Sequence, residues 1–170
     1  MRLLLLIALL MTGSLLTAKK LKMVDYVDIP RYMGDWYVIA VIPNIIEKNA
    51  VNSIESYSLN PDGTIAVRYT YRKGSPQGKQ KLMRPKGKIY NTKTNSEWRM
   101  RVFRPFWAKF MIIDLAEDYR YTVVGVPNRK MLWIMSRSPQ MTEADYTAVI
   151  KKLKKQDYNI DKIKKIPQIW

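Results

Sequence analysis

Gly34-Asp35-Trp36-Tyr37, opening a run of Val and Ile that continues to Ile42, decides how the chain is read. β-Branched and aromatic side chains fit a pleated, half-buried surface, so Trp36 to Ile42 is a strand. A Trp two residues after a Gly, where the chain first enters a sheet, is placed to plug the closed end of a β-barrel. That reading requires strands downstream, and the sequence supplies them. Val51 to Leu59 ends in Asn60-Pro61-Asp62-Gly63, a strong turn signal. Thr64 to Arg72 is followed by a loop over 73–78 with two Gly and a Pro. Leu82 to Tyr90 comes next, then Glu97 to Phe103, broken by Arg104-Pro105. Phe106 to Leu115, Tyr119 to Val126 and Met131 to Arg137 complete the set, with Pro127-Asn128-Arg129 between the last two. Eight runs at roughly ten-residue spacing, joined by short loops, predict an all-β, up-and-down antiparallel barrel.

Period-two alternation sets the faces. Ile65, Val67, Tyr69 and Tyr71 share one face of their strand, while Ala66, Arg68, Thr70 and Arg72 share the other. Trp98, Met100 and Val102 likewise oppose Glu97, Arg99, Arg101 and Phe103. An unpaired buried charge is costly, so the cationic face meets water and the aromatic face points inward. Residues 29–33, Ile-Pro-Arg-Tyr-Met, read as a lead-in with no element of their own. Beyond the barrel the period changes. Thr142-Glu143-Ala144-Asp145 is a capping-box-like start, and Tyr146, Val149, Ile150 and Leu153 fall on one helical face. One amphipathic helix is expected to lie against the outside of the barrel. The tail from Tyr158 to Trp170 has room for a ninth strand.

The 170 residues make one domain by length, and the net charge is +16. Such a surface attracts anions. Met1-Arg2 followed by apolar Leu3 to Met11, uncharged to Ala18, is too short to span a bilayer and fits a secretory signal peptide. The expected division is therefore a signal over 1–18 and one domain over 19–170. Leu16-Thr17-Ala18 resembles the start of a bacterial lipobox, but Lys19 stands where the Cys would be, so the chain as written carries no lipid anchor. The expected address is exported: the periplasm or the outer-membrane periphery of a Gram-negative bacterium. The absence of Cys and His excludes disulfides, thiol chemistry, imidazole acid–base chemistry and the usual strong zinc and haem ligands. No metal site and no cofactor are expected.

Several motifs carry a family likeness. Residues 32–40, Tyr-Met-Gly-Asp-Trp-Tyr-Val-Ile-Ala, and residues 132–139, Leu-Trp-Ile-Met-Ser-Arg-Ser-Pro, resemble the first and third motifs of the lipocalins. The likeness is greatest to the bacterial lipocalin (outer-membrane lipoprotein) and apolipoprotein D branch. Tyr57-Ser58-Leu59, Gly87-Lys88-Ile89-Tyr90 and Phe103-Arg104-Pro105-Phe106 follow in that family's order. The second motif departs: Ala116 replaces its usual Asp, which weakens any receptor-docking role for that loop.

The resemblance implies an eight-stranded lipocalin barrel in which Gly34, Trp36 and Arg137 close one end. It implies a non-catalytic carrier or store of a small hydrophobic ligand, a fatty acid or lysophospholipid. The alternative is an envelope structural or signalling protein whose barrel is filled and which acts through a protein or an anionic membrane. By alternation the calyx residues are Glu55, Tyr57, Val67, Tyr69, Tyr71, Ile89, Trp98, Met100, Val102, Phe110, Ile112, Tyr121, Val123, Trp133 and Met135. Glu55 is the odd member, since relatives place a small apolar residue there. Either a bulge or strand end lets it reach water, or it selects ligand headgroups that are cationic or hydroxyl-bearing. Lys151, Lys152, Lys154 and Lys155 form a basic face that is either simply solvated or docks to anionic membrane. Nucleic acid is not an expected partner, because the aromatics lie inside. Monomer and homodimer both remain open.

Overall fold

The computed structural model describes residues 19–44, 47–101 and 105–170. The expected signal segment and Val102 lie outside the described residues. The strands are β1 (Gly34–Ile42), β2 (Ala50–Leu59), β3 (Thr64–Lys73), β4 (Gln80–Met83), β5 (Lys86–Ile89), β6 (Glu97–Arg101), β7 (Ala108–Leu115), β8 (Tyr121–Gly125) and β9 (Leu132–Ser136). The strands pair antiparallel in the order β1-β2-β3-β5-β6-β7-β8-β9, with β4 also on β3, and β1 pairs β9 from Tyr37–Ser136 to Ile42–Leu132, which closes the barrel. Closure leaves no long edge open to pairing by another chain.

The fourth expected strand is broken in two. β4 pairs with the upper part of β3 and β5 with its lower part. Arg84-Pro85 separates them because proline has no N–H to give a ladder. The Pro85 carbonyl still serves, accepting from the Val67 N–H at 3.2 Å. Together β4 and β5 make one wall, so the barrel has eight walls as the sequence predicts.

Residues 29–32 are not a plain lead-in but one helical turn, α1 (Ile29–Tyr32). Asp28 caps it by accepting from the Arg31 N–H, and Pro30 sits in its first turn, where a missing donor is harmless. The turn places buried Ile29 and Tyr32 under the barrel. At the other end, α2 (Glu143–Lys155) starts at the Thr142 cap, as the sequence indicates. Its buried Val149 and Leu153 lie over Met111, Ile113, Leu132 and Ile134 on the barrel's outer surface. Each such side chain contributes about 1.5–3 kcal/mol by leaving water.

The tail forms the short strand β10 (Lys164–Lys165), paired with Ala40 and Val41 of β1. β1 and β2 pair only from Gly34 to Tyr37, and the tail bridges the splayed region above. The Ile166 N–H donates to the Ile39 carbonyl and the Asn52 N–H to the Pro167 carbonyl, each at 2.8 Å.

Two apolar clusters result. One fills the barrel interior and the other lies between the barrel and α2. Tyr121 and Val123, expected in the calyx, belong to the second cluster. A register shift in β7 between Ile112 and Asp114 precedes them, and β8 is buried on both faces. Alternation therefore gives no sign of which face is the interior. Thr122 and Val124 point inward instead: Val124 joins the interior cluster and Thr122 Oγ1 lies 3.3 Å from the Tyr32 hydroxyl.

Candidate functional site

The barrel is closed at the end where β1 begins. Trp36 is fully buried and its indole N–H donates to the Tyr32 carbonyl at 2.9 Å. The Arg137 guanidinium lies 3.7 Å from the Trp36 ring centroid. Gly34 has φ +97°, a left-handed conformation that a side chain disfavours, and a Cβ there would approach Arg137 Nη1 to 3.4 Å. Above this pair, Tyr32, Tyr57 and Trp98 pack with ring centroids 5.3–5.7 Å apart. Ile112 and Met135 are buried in the same cluster. Four expected calyx residues, Tyr57, Trp98, Ile112 and Met135, thus belong to the packed floor of the barrel and do not line open space. Ile89 is half-buried against the interior cluster, and Tyr71 stacks on Tyr69 with centroids 5.3 Å apart.

Above the floor lies a cavity of about 120 Å³. Of the expected calyx residues, Glu55, Val67, Tyr69, Met100, Phe110 and Trp133 line it. It also takes Asn44 and Glu47 from the β1–β2 loop, Met83 and Pro85 from the break between β4 and β5, Ala108 and Lys109 from the start of β7, and Val126 and Met131 from the β8–β9 turn. These eight went unforeseen because most belong to loops at the mouth, where alternation carries no information. The polar residue Glu47 beside the apolar stretch of β1 was the only signal available. The cavity is smaller than drug-sized sites of ~300–1,000 Å³.

Glu55 sits mid-strand, opposite Trp36 on β1 and Tyr69 on β3, and is only 8% exposed. The expectation that a bulge or strand end carries it to water is not met. The Tyr57 hydroxyl donates to Glu55 Oε2. The other oxygen, Oε1, accepts no hydrogen bond among the described residues and is not sealed off, because Glu55 lines the cavity. Burial pushes the Glu55 carboxyl up to about 7; the Tyr57 bond opposes this rise and the charge of Glu47 adds to it. Glu47 is also buried, with both oxygens engaged by the Trp133 indole N–H and the Asn44 backbone N–H. Burial raises its pKa as well, against the Trp133 bond. Desolvation likewise holds the Tyr32, Tyr57 and Tyr69 phenols well above their ordinary range, so all three stay neutral. The site is an apolar space, open at its mouth, with two carboxyl groups and neutral phenols. Among the described residues, no three acidic side chains converge as a metal site would require.

The basic face of α2 is partly committed. Lys152 Nζ donates to Asp114 Oδ1 and Oδ2 at 2.8 and 3.0 Å, which ties the helix to β7. Lys151, Lys154 and Lys155 are exposed.

Comparison with known proteins agrees with this geometry. The model of the Lipocalin-like domain matches residues 27–168. The chain is 33% identical to Temperature-induced lipocalin-1 of Arabidopsis thaliana over 158 residues, covering 88% of this chain and 84% of that protein. It is 29% identical to the Outer membrane lipoprotein Blc of Citrobacter freundii over 147 residues, covering 85% and 81%. Among solved structures, lobster apocrustacyanin A1 superposes with TM-score 0.69 at 15% identity, over 84% of this chain and 81% of that one. Insecticyanin of the tobacco hornworm Manduca sexta gives TM-score 0.67 at 20% identity, over 88% and 85%. At those identities the structures speak for the fold alone, whereas the sequence match extends from the turn before Trp36 to the tail after α2: the chain belongs to the lipocalin family.

Proposed function

We propose that the protein is a non-catalytic carrier or store of a small amphiphile with one hydrocarbon chain, of fatty-acid or lysophospholipid size. The observation that carries this reading is the division of the barrel into a packed aromatic floor and an apolar cavity above it. Trp36 and Arg137 close the barrel below the floor, and loop residues Asn44, Glu47, Val126 and Met131 border the cavity at the other end. Membership of the lipocalin-like family supports binding over chemistry. We place the protein in the cell envelope, after removal of residues 1–18, because curated relatives are named outer membrane lipoproteins. The exposed lysines of α2 would then keep it near anionic lipid, each contributing ~1 kcal/mol at the surface.

Native mass spectrometry of protein purified without detergent tests the reading. One bound amphiphile per chain, displaced by a fluorescent single-chain analogue, is the expected result. A protein that emerges without ligand and ignores the analogue would instead favour the filled-barrel alternative, which the packed lower half supports. The same spectrum reports whether the protein is a monomer or a homodimer.

A further inference from the structure

Glu55 is a carboxyl group 8% exposed, held in the wall of a cavity, with one oxygen engaged by Tyr57 and the other without a partner among the described residues. A buried charge normally has a counter-ion or hydrogen bonds for all its lone pairs. Among the described residues no cationic side chain supplies one. Lys109, the cation that borders the cavity, is exposed at its mouth and makes no ion pair with Glu55 or Glu47. Glu47, the second carboxyl group in the cavity, has both oxygens occupied and adds negative potential without competing for the same donor. The aromatic rings of Tyr69, Phe110 and Trp133 also line the space, and ring faces attract cations.

Resting on the carrier reading above, we propose that the calyx selects amphiphiles bearing an ammonium group and binds them head-inward. The ammonium donates to Glu55 Oε1 on the aromatic floor, and the hydrocarbon tail runs up past Val67 and Met131 to the mouth. A carboxylate-headed chain is disfavoured at the same depth by repulsion from two acids. An alcohol can donate to Oε1 but brings no charge to balance it. The protein's overall charge of +16 repels organic cations, so any preference for an amine has to come from the local site.

The test compares n-decylamine, n-decanol and n-decanoate by calorimetric titration at pH 8, with wild type and Glu55→Gln. Wild type is expected to bind decylamine at least about tenfold more tightly than decanol, and decanoate most weakly. Glu55→Gln is expected to bring decylamine down to the decanol level. If decanoate or decanol binds wild type as tightly as decylamine, the ammonium proposal fails while the carrier reading stands. If none of the three binds, the carrier reading fails and this proposal with it.

A wild-type pH series removes dependence on the variant's folding. The groups facing Glu55 are Tyr57 on its own strand, Glu47 in the loop before it, Tyr69 on β3 and Tyr32 of α1, with Lys109 at the rim. Protonating the carboxyl groups removes the counter-charge, so decylamine affinity falls from pH 8 to pH 5.5 and decanol affinity does not. A decylamine affinity that is flat over that range overturns the proposal.

Discussion

Arg137 holds Trp36 from above and the chain around it from the side. Its guanidinium stacks 3.7 Å from the indole centroid while donating to the carbonyls of Asp35, Arg31, Tyr32 and Met33 at 2.7–3.1 Å. One planar group therefore joins the end of β9 to α1 and the start of β1. Lysine has three donors on a point charge and cannot reproduce that fork.

Arg137→Lys is thus expected to lose most of what Arg137→Ala loses. Hydrogen bonds from a charged donor contribute about 1.5–3 kcal/mol when removed, and the group is only half-buried, so a loss of about 2–4 kcal/mol is expected. Urea unfolding at pH 7 measures it. A Lys variant within ~0.5 kcal/mol of wild type would show that charge alone suffices at this position.

The barrel and its closed end were legible because both rest on local rules. Alternation along β3 and β6 separates Val67, Tyr69 and Trp98 from the arginines between them, and those three are buried. The same rule fails on β8, where Tyr121 and Val123 are as buried as their neighbours because α2 covers the outer face. Which side of a strand faces the interior is then a tertiary fact. The cavity was read only in part for a related reason. Tyr57 and Trp98 do point inward, but their depth along the barrel, which makes them floor, depends on how Tyr32 of α1 packs beneath them. Glu47 and Met131 lie outside the strands altogether, and no periodicity reports on them.

Gly125 and Tyr158 make a second close contact with a measurable consequence. A Cβ on Gly125 would come within 2.1 Å of the Tyr158 hydroxyl and 3.3 Å of its Cζ. Gly125→Ala should destabilise the protein by about 1–3 kcal/mol, as overpacking does. Removing only the hydroxyl, in Gly125→Ala combined with Tyr158→Phe, should recover most of that loss. Unfolding of the two single variants and the double variant gives the coupling directly. Additive losses would place the strain elsewhere.

Asn52 binds the tail. It has φ 51°, which Asn tolerates better than most residues, and its side chain donates to the Ile169 carbonyl at 2.6 Å and accepts from the Ile169 N–H at 2.7 Å. Asn52→Ala removes both bonds and should cost about 1–2 kcal/mol. The effect should be local. Amide exchange of Ile166, bonded to Ile39, is expected to accelerate, while that of Ile112, bonded to Ser96 across the barrel, stays slow. Equal acceleration at both amides would mean that the tail is coupled to the whole fold.

Glu55 makes stability depend on pH in the direction opposite to an ion-paired acid. Its folded-state pKa, about 7, lies above the ordinary carboxylate value of 4.5, chiefly because burial penalises the charged form. Between those two values the folded state binds more protons than the unfolded state, so stability falls as pH rises. The contribution is fully present below pH 4.5 and is lost as pH climbs through 7. The shift corresponds to about 3 kcal/mol, and Glu47, raised by the same cause, adds to it with the same sign. The carboxylates of Asp118 and Asp145, held low by Arg120, act in the other direction but only at more acid pH. Urea midpoints should therefore decrease from pH 5 to pH 8 in wild type. Glu55→Gln, which cannot ionise, should flatten most of that slope and leave the smaller part due to Glu47. A wild-type midpoint that stays flat over this interval would mean that Glu55 is already charged at pH 5.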